Sequence, residues 1–299
     1  MPTQSPTCTR AEKIAVLLPS LEGGGAERSM LNLATGFLAA GREVDIVLCQ
    51  AKGAFLDEIP AGATMIELEA TGGLRARWII ARSNLQDFFV RLRPVLLAKK
   101  TAPEVARIRS LQRYIVASQP DVILSALPYA NLSAIWAKEL SGSRVPVIVS
   151  ERIALLSYCA APSNSRKWRW RYLPELVRRT YPRADRVIAV SDHVANELIT
   201  TIGLSKDSVV AVPNPVVDGA LRACAQQALV HPWFTQDGPP VILAAGRLTE
   251  QKDFATLIHA FAAVRTDREA RLVILGEGRL RDDLEQLVCT LGIQADVCM

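Results

Sequence analysis

Two basic residues stand five positions apart where an apolar run gives way to an amphipathic segment. The stretch VILAAGRLTEQKDFATLI, residues 241–258, places Arg247 and Lys252 just after the run that ends at Gly246. An arginine guanidinium can bind two phosphate oxygens at once, and a lysine adds a mobile point charge. If a buried strand turns into a helix here, both cations lie at the carboxyl end of that strand. The pattern predicts an anion site, most simply for phosphate, although ordinary surface charge is the alternative.

A run of three glycines, in LEGGGAERS at residues 21–29, is the second candidate site. Backbone without Cβ atoms can approach an anion and direct N–H groups at it, which is the role that this run of three glycines could fill. Glu27 suits the first turn of the following helix, because a helix N-terminus favours a carboxylate. Arg28 is disfavoured there, which indicates that it has another role. A tight turn that only packs the helix on the strand is the alternative.

The turn Gly276-Glu277-Gly278 closes the next apolar run and again brings backbone towards the predicted crevice. The glycines at 23–25 lack the G-x-G-x-x-G spacing, so a nicotinamide cofactor is disfavoured. No clustered carboxylates or histidines indicate a metal site. We therefore expect no cofactor and no metal.

Short apolar runs alternate with helical patterns along most of the chain. Such alternation, with continuously apolar strands, predicts an α/β protein with parallel sheets covered on both faces. The segment 213–240, with its PNP, HPWF and DGPP stretches, is predicted to be a linker. Two Rossmann-like doubly wound domains, residues 1–212 and 241–299, would then face a cleft that holds the ligand. The second is expected to be incomplete, since only the start of a third strand, at Val297, follows two strand–helix units.

Composition narrows the class of protein. A chain of 299 residues that is 49% hydrophobic and 22% charged is too long for one core, which favours two domains. No apolar stretch approaches the roughly 18–20 residues of a membrane span, and the N-terminus lacks a signal-peptide core. We therefore expect a cytoplasmic protein. The cysteines are scattered without a C-x-x-C pair, which predicts reduced thiols rather than disulfides or a zinc site.

Positive charge is concentrated in two segments. Residues 75–113 contain ten basic and two acidic residues, a net charge of +8, and residues 166–186 contain eight and two, a net charge of +6. These segments are either solvated helical faces or a surface that contacts a membrane. The stretches WRWRY (168–172) and ARW (76–78) interleave aromatic and basic residues, as at the interface of an anionic membrane. A nucleic-acid partner is not expected, because no nucleic-acid motif accompanies the charge.

At the level of motifs, the chain resembles the GT-B glycosyltransferases of family 4. The resemblance extends from about Lys13 to Met299. Its motifs are GGGAER (23–28), VIAVSDHV (187–194), VPNPV (212–216), AAGRLTEQKDF (244–254) and LVILGEGRLRDDLEQL (272–287). It implies the GT-B fold and a retaining enzyme of cell-envelope glycan synthesis, which transfers a sugar from a nucleotide-diphosphate sugar to an acceptor on the first domain.

The resemblance also implies roles for single residues. Arg247 and Lys252 would hold the donor diphosphate, and Gly24 and Gly25 would lie near the donor phosphate and the acceptor. We assign the turn Gly276-Glu277-Gly278 to the donor nucleotide. Many family members have glycine where this chain has Asp253.

Residues 150–152, Ser-Glu-Arg, stand where many relatives have a histidine on the acceptor side. This version resembles members that transfer sugars to polyprenyl-diphosphate-linked or similar lipid acceptors. It implies that Glu151 orients the acceptor hydroxyl, as a catalytic residue, and that Arg152 meets an acceptor phosphate. We also assign Glu27 and Arg28 to the acceptor side. A simple ion pair at the strand end is the alternative.

Family members carry a glutamate motif, E-x₇-E, that binds the donor sugar and ribose beyond the point where this sequence ends. We therefore expect a chain truncated at its C-terminus relative to the family, with a partial nucleotide-sugar-binding domain. The competing hypothesis is a non-catalytic, membrane-associated binding remnant. The expected partners are a nucleotide-diphosphate sugar, a lipid-linked or glycan acceptor, and an anionic surface on the inner face of the membrane.

Overall fold

A computed structural model describes residues 11–83, 88–98, 100–217, 219–234 and 238–299. The chain forms two compact units, one up to residue 218 and the other from Gly219 onward. This division lies inside the segment predicted to be a linker, 213–240, which also contains a short helix from Gly219 to Ala225.

The first unit is built on a seven-stranded parallel sheet with the spatial order β3-β2-β1-β4-β5-β6-β7. Its strands are β1 Lys13–Leu18, β2 Glu43–Leu48, β3 Thr64–Glu67, β4 Val122–Ala126, β5 Val147–Glu151, β6 Arg186–Ala189 and β7 Val209–Ala211. The strand order reverses between β1 and β4, so the loops that follow these two strands diverge. A crevice at the carboxyl ends of the strands is the usual ligand site of such a sheet.

Both faces of this sheet are covered, which explains the continuously apolar strands. Val16 and Ile46 belong to one buried cluster, and their chain neighbours Leu17 and Val47 belong to the cluster on the opposite face. All four side chains are fully buried. The predicted parallel sheet is thereby confirmed.

Eleven described helices accompany the first sheet. They are α1 Gly25–Ala39, α2 Gly73–Ser83, α3 Phe88–Arg91, α4 Pro103–Ala106, α5 Ile108–Ser118, α6 Pro128–Ser141, α7 Leu155–Ala160, α8 Pro162–Ser165, α9 Trp168–Arg171, α10 Leu173–Thr180 and α11 Asp192–Asn196. Single 3₁₀ turns lie at Leu56–Glu58, Tyr181–Arg183 and Lys206–Ser208, and π-helical turns at Leu92–Leu96 and Glu197–Thr201. Helix α6 is buried from Pro128 to Ala137, because it packs in the middle of the larger core.

The second unit contains a three-stranded parallel sheet in the order β10-β9-β8. Its elements are α12 Gly219–Ala225, β8 Val241–Ala245, α13 Phe254–Asp267, β9 Arg271–Leu275, α14 Arg281–Thr290 and β10 Val297–Cys298. The predicted third strand at Val297 is confirmed by its parallel pairing with β9. Helices α13 and α14 share a buried cluster with Leu272 and Ile274 on one face of this sheet. On the other face, Leu243 and Leu275 are more than half exposed.

The helices and the cysteines were the subject of two expectations drawn from the composition. Among the helices of the described ranges, none combines the length and the apolar character that crossing a bilayer requires. The cysteines that the structure describes are free thiols, namely Cys49, Cys159, Cys224, Cys289 and Cys298. Cys8 lies outside the described residues.

Candidate functional site

The loops that follow β8 and β9 are joined backbone to backbone. The Gly246 N–H donates to the Leu275 carbonyl at 2.9 Å, and the Leu248 N–H donates to the Glu277 carbonyl at 2.9 Å. Each hydrogen bond joins the loop after β8 to the loop after β9. The two loops therefore hold each other in place and form one continuous edge at the carboxyl ends of the strands. Arg247 lies between the two donors and is carried by this edge.

Two glycines make this close approach possible. A Cβ on Gly276 would lie 1.9 Å from the carbonyl oxygen of Gly246, and a Cβ on Gly278 would lie 2.3 Å from the carbonyl oxygen of Leu248. Real Cβ atoms do not come so close to backbone, so both positions require glycine. The G-E-G turn, which sequence assigned to the donor nucleotide, therefore also fixes the loop that carries Arg247.

Arg247 and Lys252 both lie in the loop between β8 and α13, as predicted. Their side chains are exposed, and neither makes a hydrogen bond or an ion pair with any described residue. A Cβ on Gly246 would lie 3.4 Å from Cδ and Cε of Lys252, so the lysine stem runs beside the backbone that leads to Arg247. The structure thus brings the two cations to one loop and leaves their charge uncompensated.

Other cations at this edge are neutralised. Arg281 donates to Glu277 at 2.8 Å and to Glu285 at 3.0 Å, and Arg279 is paired with Glu250. The Glu277 carboxylate of the predicted nucleotide loop is therefore held by an arginine four residues away. Among the described residues of this edge, Arg247 and Lys252 are the cations without a carboxylate partner that an approaching anion would meet.

Asp253, where many family members have glycine, adopts a left-handed backbone conformation with φ 50° and ψ 47°. Glycine adopts this conformation without strain, and aspartate tolerates it better than most residues do. The Asp253 carboxylate also accepts a hydrogen bond from the Thr256 hydroxyl at 2.9 Å. Aspartate at position 253 is therefore compatible with the conformation of the Lys252 loop.

In the first unit, the glycine run joins β1 to α1 at the point where the strand order reverses. Gly24 is the N-cap of α1, and a Cβ there would lie 2.3 Å from Oε2 of Glu27. The Glu27 carboxylate is folded back over the start of its own helix, where the macrodipole stabilises a negative charge. Around Gly25 there is open space. The structure brings Gly24 and Glu27 together, and their predicted ligand roles stay predictions.

Arg28 forms a clamp with the loop after β2. Its guanidinium donates to Oε1 of Glu58 at 2.8 Å, makes a second bond to Oε2, and lies 4.1 Å over the ring of Phe55. Hydrogen bonds from Arg28 lower the pKa of the Glu58 carboxyl. This pairing accounts for an arginine in a first helical turn, and the acceptor role assigned to Arg28 stays a prediction.

The same two loops also meet through backbone. The Leu21 N–H donates to the Lys52 carbonyl at 2.9 Å, and the Phe55 N–H donates to the Leu21 carbonyl at 3.1 Å. Gly53, with φ 122°, permits this contact, because a Cβ there would lie 2.0 Å from the Leu21 carbonyl oxygen. Sequence reasoning missed Gly53, whose only signal is a glycine shortly after a predicted strand.

Glu151, the predicted catalytic residue, is fully buried. The Tyr181 hydroxyl donates to Oε2 of Glu151 at 2.7 Å, while Oε1 has no hydrogen-bond partner. Tyr181 in turn accepts from the Asn131 amide at 3.0 Å, and Asn131 accepts from the Ser125 hydroxyl at 2.8 Å. Burial raises the pKa of Glu151 to about 7, against the lowering effect of the Tyr181 bond. In this conformation the carboxyl is a core group, with no surface open to a substrate.

The Arg152 side chain lies on the opposite face of the sheet from Glu151, because successive side chains along an extended chain point to opposite faces. It donates to Oδ1 of Asn214 and contacts Sδ of Met30 at 2.9 Å, in a cavity of about 270 Å³ that Ser150 and Pro215 also line. The structure therefore joins the segment 150–152 to the V-P-N-P-V motif. It shows no strand-end ion pair between Glu151 and Arg152. Burial lowers the pKa of Arg152 to about 10.

The basic segment 75–113 is not one solvated face. Arg77 donates to the carbonyls of Leu96 at 3.0 Å and Ala98 at 2.6 Å, the fully buried Arg91 donates to the Ile80 carbonyl, and Arg107 donates to the Leu68 carbonyl. These three arginines hold helices and loops together. The side chains of Arg82, Arg93 and Lys99 lie outside the described residues. In the second segment, Arg178 and Arg179 pair with Glu175.

Within the described ranges, no group of three or more His, Cys, Asp or Glu side chains is placed to hold a metal ion.

The first unit has a doubly wound parallel sheet, and the second has a smaller parallel sheet with uncompensated cations at the carboxyl end of β8. Together they define an α/β protein of the GT-B class. The model of Glycosyltransferase Family 4 matches residues 23–218, and that of Glycosyl transferases group 1 matches residues 226–299. The chain belongs to this family of glycosyltransferases.

Two relatives come from Campylobacter jejuni. One is named GalNAc-alpha-(1->4)-GalNAc-alpha-(1->3)-diNAcBac-PP-undecaprenol alpha-1,4-N-acetyl-D-galactosaminyltransferase, 26% identical over 95% of this chain and 67% of the relative. The other is named N-acetylgalactosamine-N,N'-diacetylbacillosaminyl-diphospho-undecaprenol 4-alpha-N-acetylgalactosaminyltransferase, 26% identical over 96% of this chain and 69% of the relative. Among solved structures, Anabaena HepE in complex with UDP and glucose matches with a TM-score of 0.63 and 17% identity, over 97% of this chain and 68% of HepE. The chain thus spans about two thirds of the length of these relatives.

Proposed function

We propose that the protein transfers a sugar from a nucleotide-diphosphate sugar to a lipid-linked acceptor in cell-envelope glycan synthesis, with retention of anomeric configuration. The names of both Campylobacter relatives contain a diphospho-linked undecaprenol and an alpha-linked product, which supports the acceptor class. The HepE complex with UDP supports the donor class.

The observation that carries the proposal is the pair of uncompensated cations, Arg247 and Lys252, on the braced loop after β8. When the bond between sugar and diphosphate breaks, negative charge grows on the leaving diphosphate. Fixed cations and backbone dipoles at that point stabilise the transition state more than the ground state. The Gly276 and Gly278 packing keeps Arg247 in place, so little reorganisation is needed during the reaction.

The acceptor side is assigned to the first unit. Gly24, Gly25 and Glu27 lie at the start of α1, beside the crevice where the strand order reverses. The Arg28 clamp shapes the rim of that crevice rather than offering a free charge. Glu151 is buried at the carboxyl end of β5, so it does not make the direct contact with the acceptor hydroxyl that its sequence position suggested. In this proposal it acts through Tyr181, to which it is hydrogen-bonded, and through the neighbouring Arg152.

We further propose that the protein works on the inner face of the membrane and contacts anionic lipid there. Support comes from the first unit, where Trp78 and Trp168 are exposed to solvent and Arg166 and Lys167 have no carboxylate partner among the described residues. Amphipathic aromatic side chains beside free cations suit a lipid headgroup region.

A transfer assay tests the proposed activity. The full chain is incubated with UDP-linked N-acetylhexosamines and a polyprenyl-diphosphate-linked saccharide, and the products are separated by chromatography. We expect one sugar to be added, with the anomeric configuration of the donor retained in the NMR spectrum of the product. Inversion would contradict the retaining mechanism, and no transfer from any nucleotide sugar would contradict the activity.

A further inference from the structure

A large cavity in the first unit has none of the predicted donor or acceptor residues in its described lining, and Arg166, Lys167 and Trp168 form part of its wall. It has a volume of about 880 Å³ and opens between the residues that follow the Leu92–Leu96 turn and the helices α7 to α9. Its described lining residues are Leu97, Ala98, Lys100, Tyr158, Asn164, Arg166, Lys167, Trp168, Arg169 and Trp170. The volume is within the usual range of small-molecule sites.

One part of the lining is cationic. Lys100, Arg166, Lys167 and Arg169 contribute four positive charges, and no carboxylate stands among the described lining residues. None of the four side chains is hydrogen-bonded or ion-paired to a described residue. Arg169 interacts electrostatically with the nearby buried Glu104: burial raises the pKa of that carboxyl, and Arg169 acts in the opposite direction.

The other part of the lining is aromatic and apolar, and ring contacts and a hydrogen bond hold its side chains in place. The Trp170 ring meets the Tyr158 ring edge-on, with centroids 5.1 Å apart, and Arg169 lies 4.3 Å over the Trp170 ring. The buried Asn164 donates to the Tyr158 carbonyl at 3.0 Å, which fixes α7 against α8. Leu97 and Trp168 remain about half exposed at the rim. Such stacked rings hold the arginine in one orientation before any ligand arrives.

We infer that this cavity binds the diphosphate and the first isoprene units of a polyprenyl-diphosphate acceptor. The inference rests on the proposed function, because it names the place where the lipid part of that acceptor is held. Lys100, Arg166 and Lys167, with Arg169 held over the Trp170 ring, suit two phosphate groups. The Tyr158–Trp170 wall and Leu97 suit an unsaturated hydrocarbon chain. A free saccharide fits less well, since the described lining has no carboxylate to accept hydrogen bonds from sugar hydroxyls.

Farnesyl diphosphate, a water-soluble isoprenoid diphosphate, is the probe for this site. Binding to the full chain is followed by titration calorimetry. Farnesol serves as the probe of the hydrocarbon half of the ligand, and inorganic diphosphate as the probe of its charged half. We expect one farnesyl diphosphate per chain, bound at least about tenfold more tightly than either half alone, because both parts of the cavity contribute. Equal affinity for inorganic diphosphate would contradict the role of the aromatic wall.

Two double variants with the same change in net charge give a matched comparison. Arg166→Ala with Lys167→Ala removes two cavity cations, while Arg178→Ala with Arg179→Ala removes two cations of the same segment that pair with Glu175. The first variant should weaken farnesyl diphosphate binding by about tenfold or more, and the second by less than about twofold. Equal weakening by both would mean a general effect of charge and would overturn the site.

Two further arms separate this site from its alternatives. Vesicles of phosphatidylglycerol test bulk anionic lipid, and binding of such vesicles through Arg166 and Lys167 without any binding of farnesyl diphosphate would overturn the inference.

In the transfer assay, Arg166→Ala with Lys167→Ala should raise the KM for the lipid-linked acceptor and leave the KM for the nucleotide sugar unchanged. An unchanged acceptor KM would refute the site while the proposed function stands. Tight farnesyl diphosphate binding without sugar transfer would refute the function while the site stands.

Discussion

Gly276 lies so close to Gly246 that a Cβ at position 276 would fall 1.9 Å from the Gly246 carbonyl oxygen. The two glycines end neighbouring parallel strands, and the next residue after Gly246 is Arg247. The position of the predicted phosphate-binding arginine therefore depends on a backbone contact with another loop.

Replacing Gly276 by alanine should disturb both stability and donor binding. The methyl group must displace the Gly246 backbone, which should cost about 2 kcal/mol or more of the free energy of unfolding and should move Arg247. Gly219→Ala is the matched control, because a Cβ at 219 would meet open space. Thermal unfolding and UDP titration measure the two effects. Wild-type affinity for UDP in Gly276→Ala would show that the loop contact does not position Arg247.

The left-handed backbone of Asp253 predicts different effects on stability for two substitutions. Asp253→Gly should change the stability of the second unit by less than about 1 kcal/mol, because relief of strain offsets loss of the Thr256 bond. Asp253→Val should destabilise it by about 1–2 kcal/mol, because a β-branched residue is disfavoured at φ 50°. Urea unfolding compares the two variants. Equal stability of Asp253→Gly and Asp253→Val would contradict the observed conformation.

Glu151 should make the first unit less stable as the pH rises. Its folded pKa of about 7 lies above the ordinary value of 4.5, so the folded state binds the proton more tightly. The stabilising contribution is therefore complete below about pH 4.5 and is lost as the pH rises through about 7. The neutral Glu151→Gln variant should lack this loss and gain stability relative to wild type between pH 5 and 8, by an amount on the order of 1–3 kcal/mol.

Denaturant unfolding at several pH values, followed by tryptophan fluorescence, measures this difference. Glu175→Gln is the control, because the Glu175 carboxylate is exposed and its pKa is lowered by the bond with Arg178. The groups that act on Glu151 are Tyr181, Arg152 and Glu197. A stability difference between wild type and Glu151→Gln that does not vary with pH would contradict the raised pKa.

Association with anionic vesicles should depend on salt. Arg166 and Lys167 are exposed near Trp168, and the attraction between these cations and lipid phosphates should weaken as the Debye length falls from about 10 Å at 0.1 M salt to about 3 Å at 1 M. Sedimentation with phosphatidylglycerol vesicles and with neutral phosphatidylcholine vesicles measures the effect. Equal binding to both kinds of vesicle would leave the basic segments as ordinary solvated surface.

Strand positions and the Arg247–Lys252 loop could be predicted from the sequence, because both depend on residues close together in the chain. Buried strands show as apolar runs, and a strand followed by glycine and a helix places the intervening residues at one sheet edge. The partner of Arg28 could not be predicted in this way, since Glu58 lies on a different loop thirty residues away. The burial of Glu151 depends on Tyr181, which comes from a helical turn beyond α10.

The environments of the basic side chains in residues 75–113 and 166–186 could not be predicted from the sequence either. Sequence gives the number of charges, but Arg91 is buried against Trp136, while Arg166 is exposed in a cavity wall. Only tertiary contacts decide whether a cation satisfies a carbonyl inside the protein or remains free for a ligand. Two hypotheses, solvated faces and a lipid-contacting surface, were therefore both compatible with the composition.

The measurement that tests the central claim most directly is a calorimetric titration of UDP into the full chain and two double variants. Arg247→Ala with Lys252→Ala removes the proposed diphosphate contacts, and Arg222→Ala with Arg268→Ala removes two other exposed cations of the second unit. Each lost charge-assisted contact is worth about 1.5–3 kcal/mol, so the first variant should bind UDP about 100-fold more weakly or worse. The second variant should bind like wild type. Undiminished UDP affinity without Arg247 and Lys252, in a chain that still unfolds cooperatively, would contradict the assignment of the donor site.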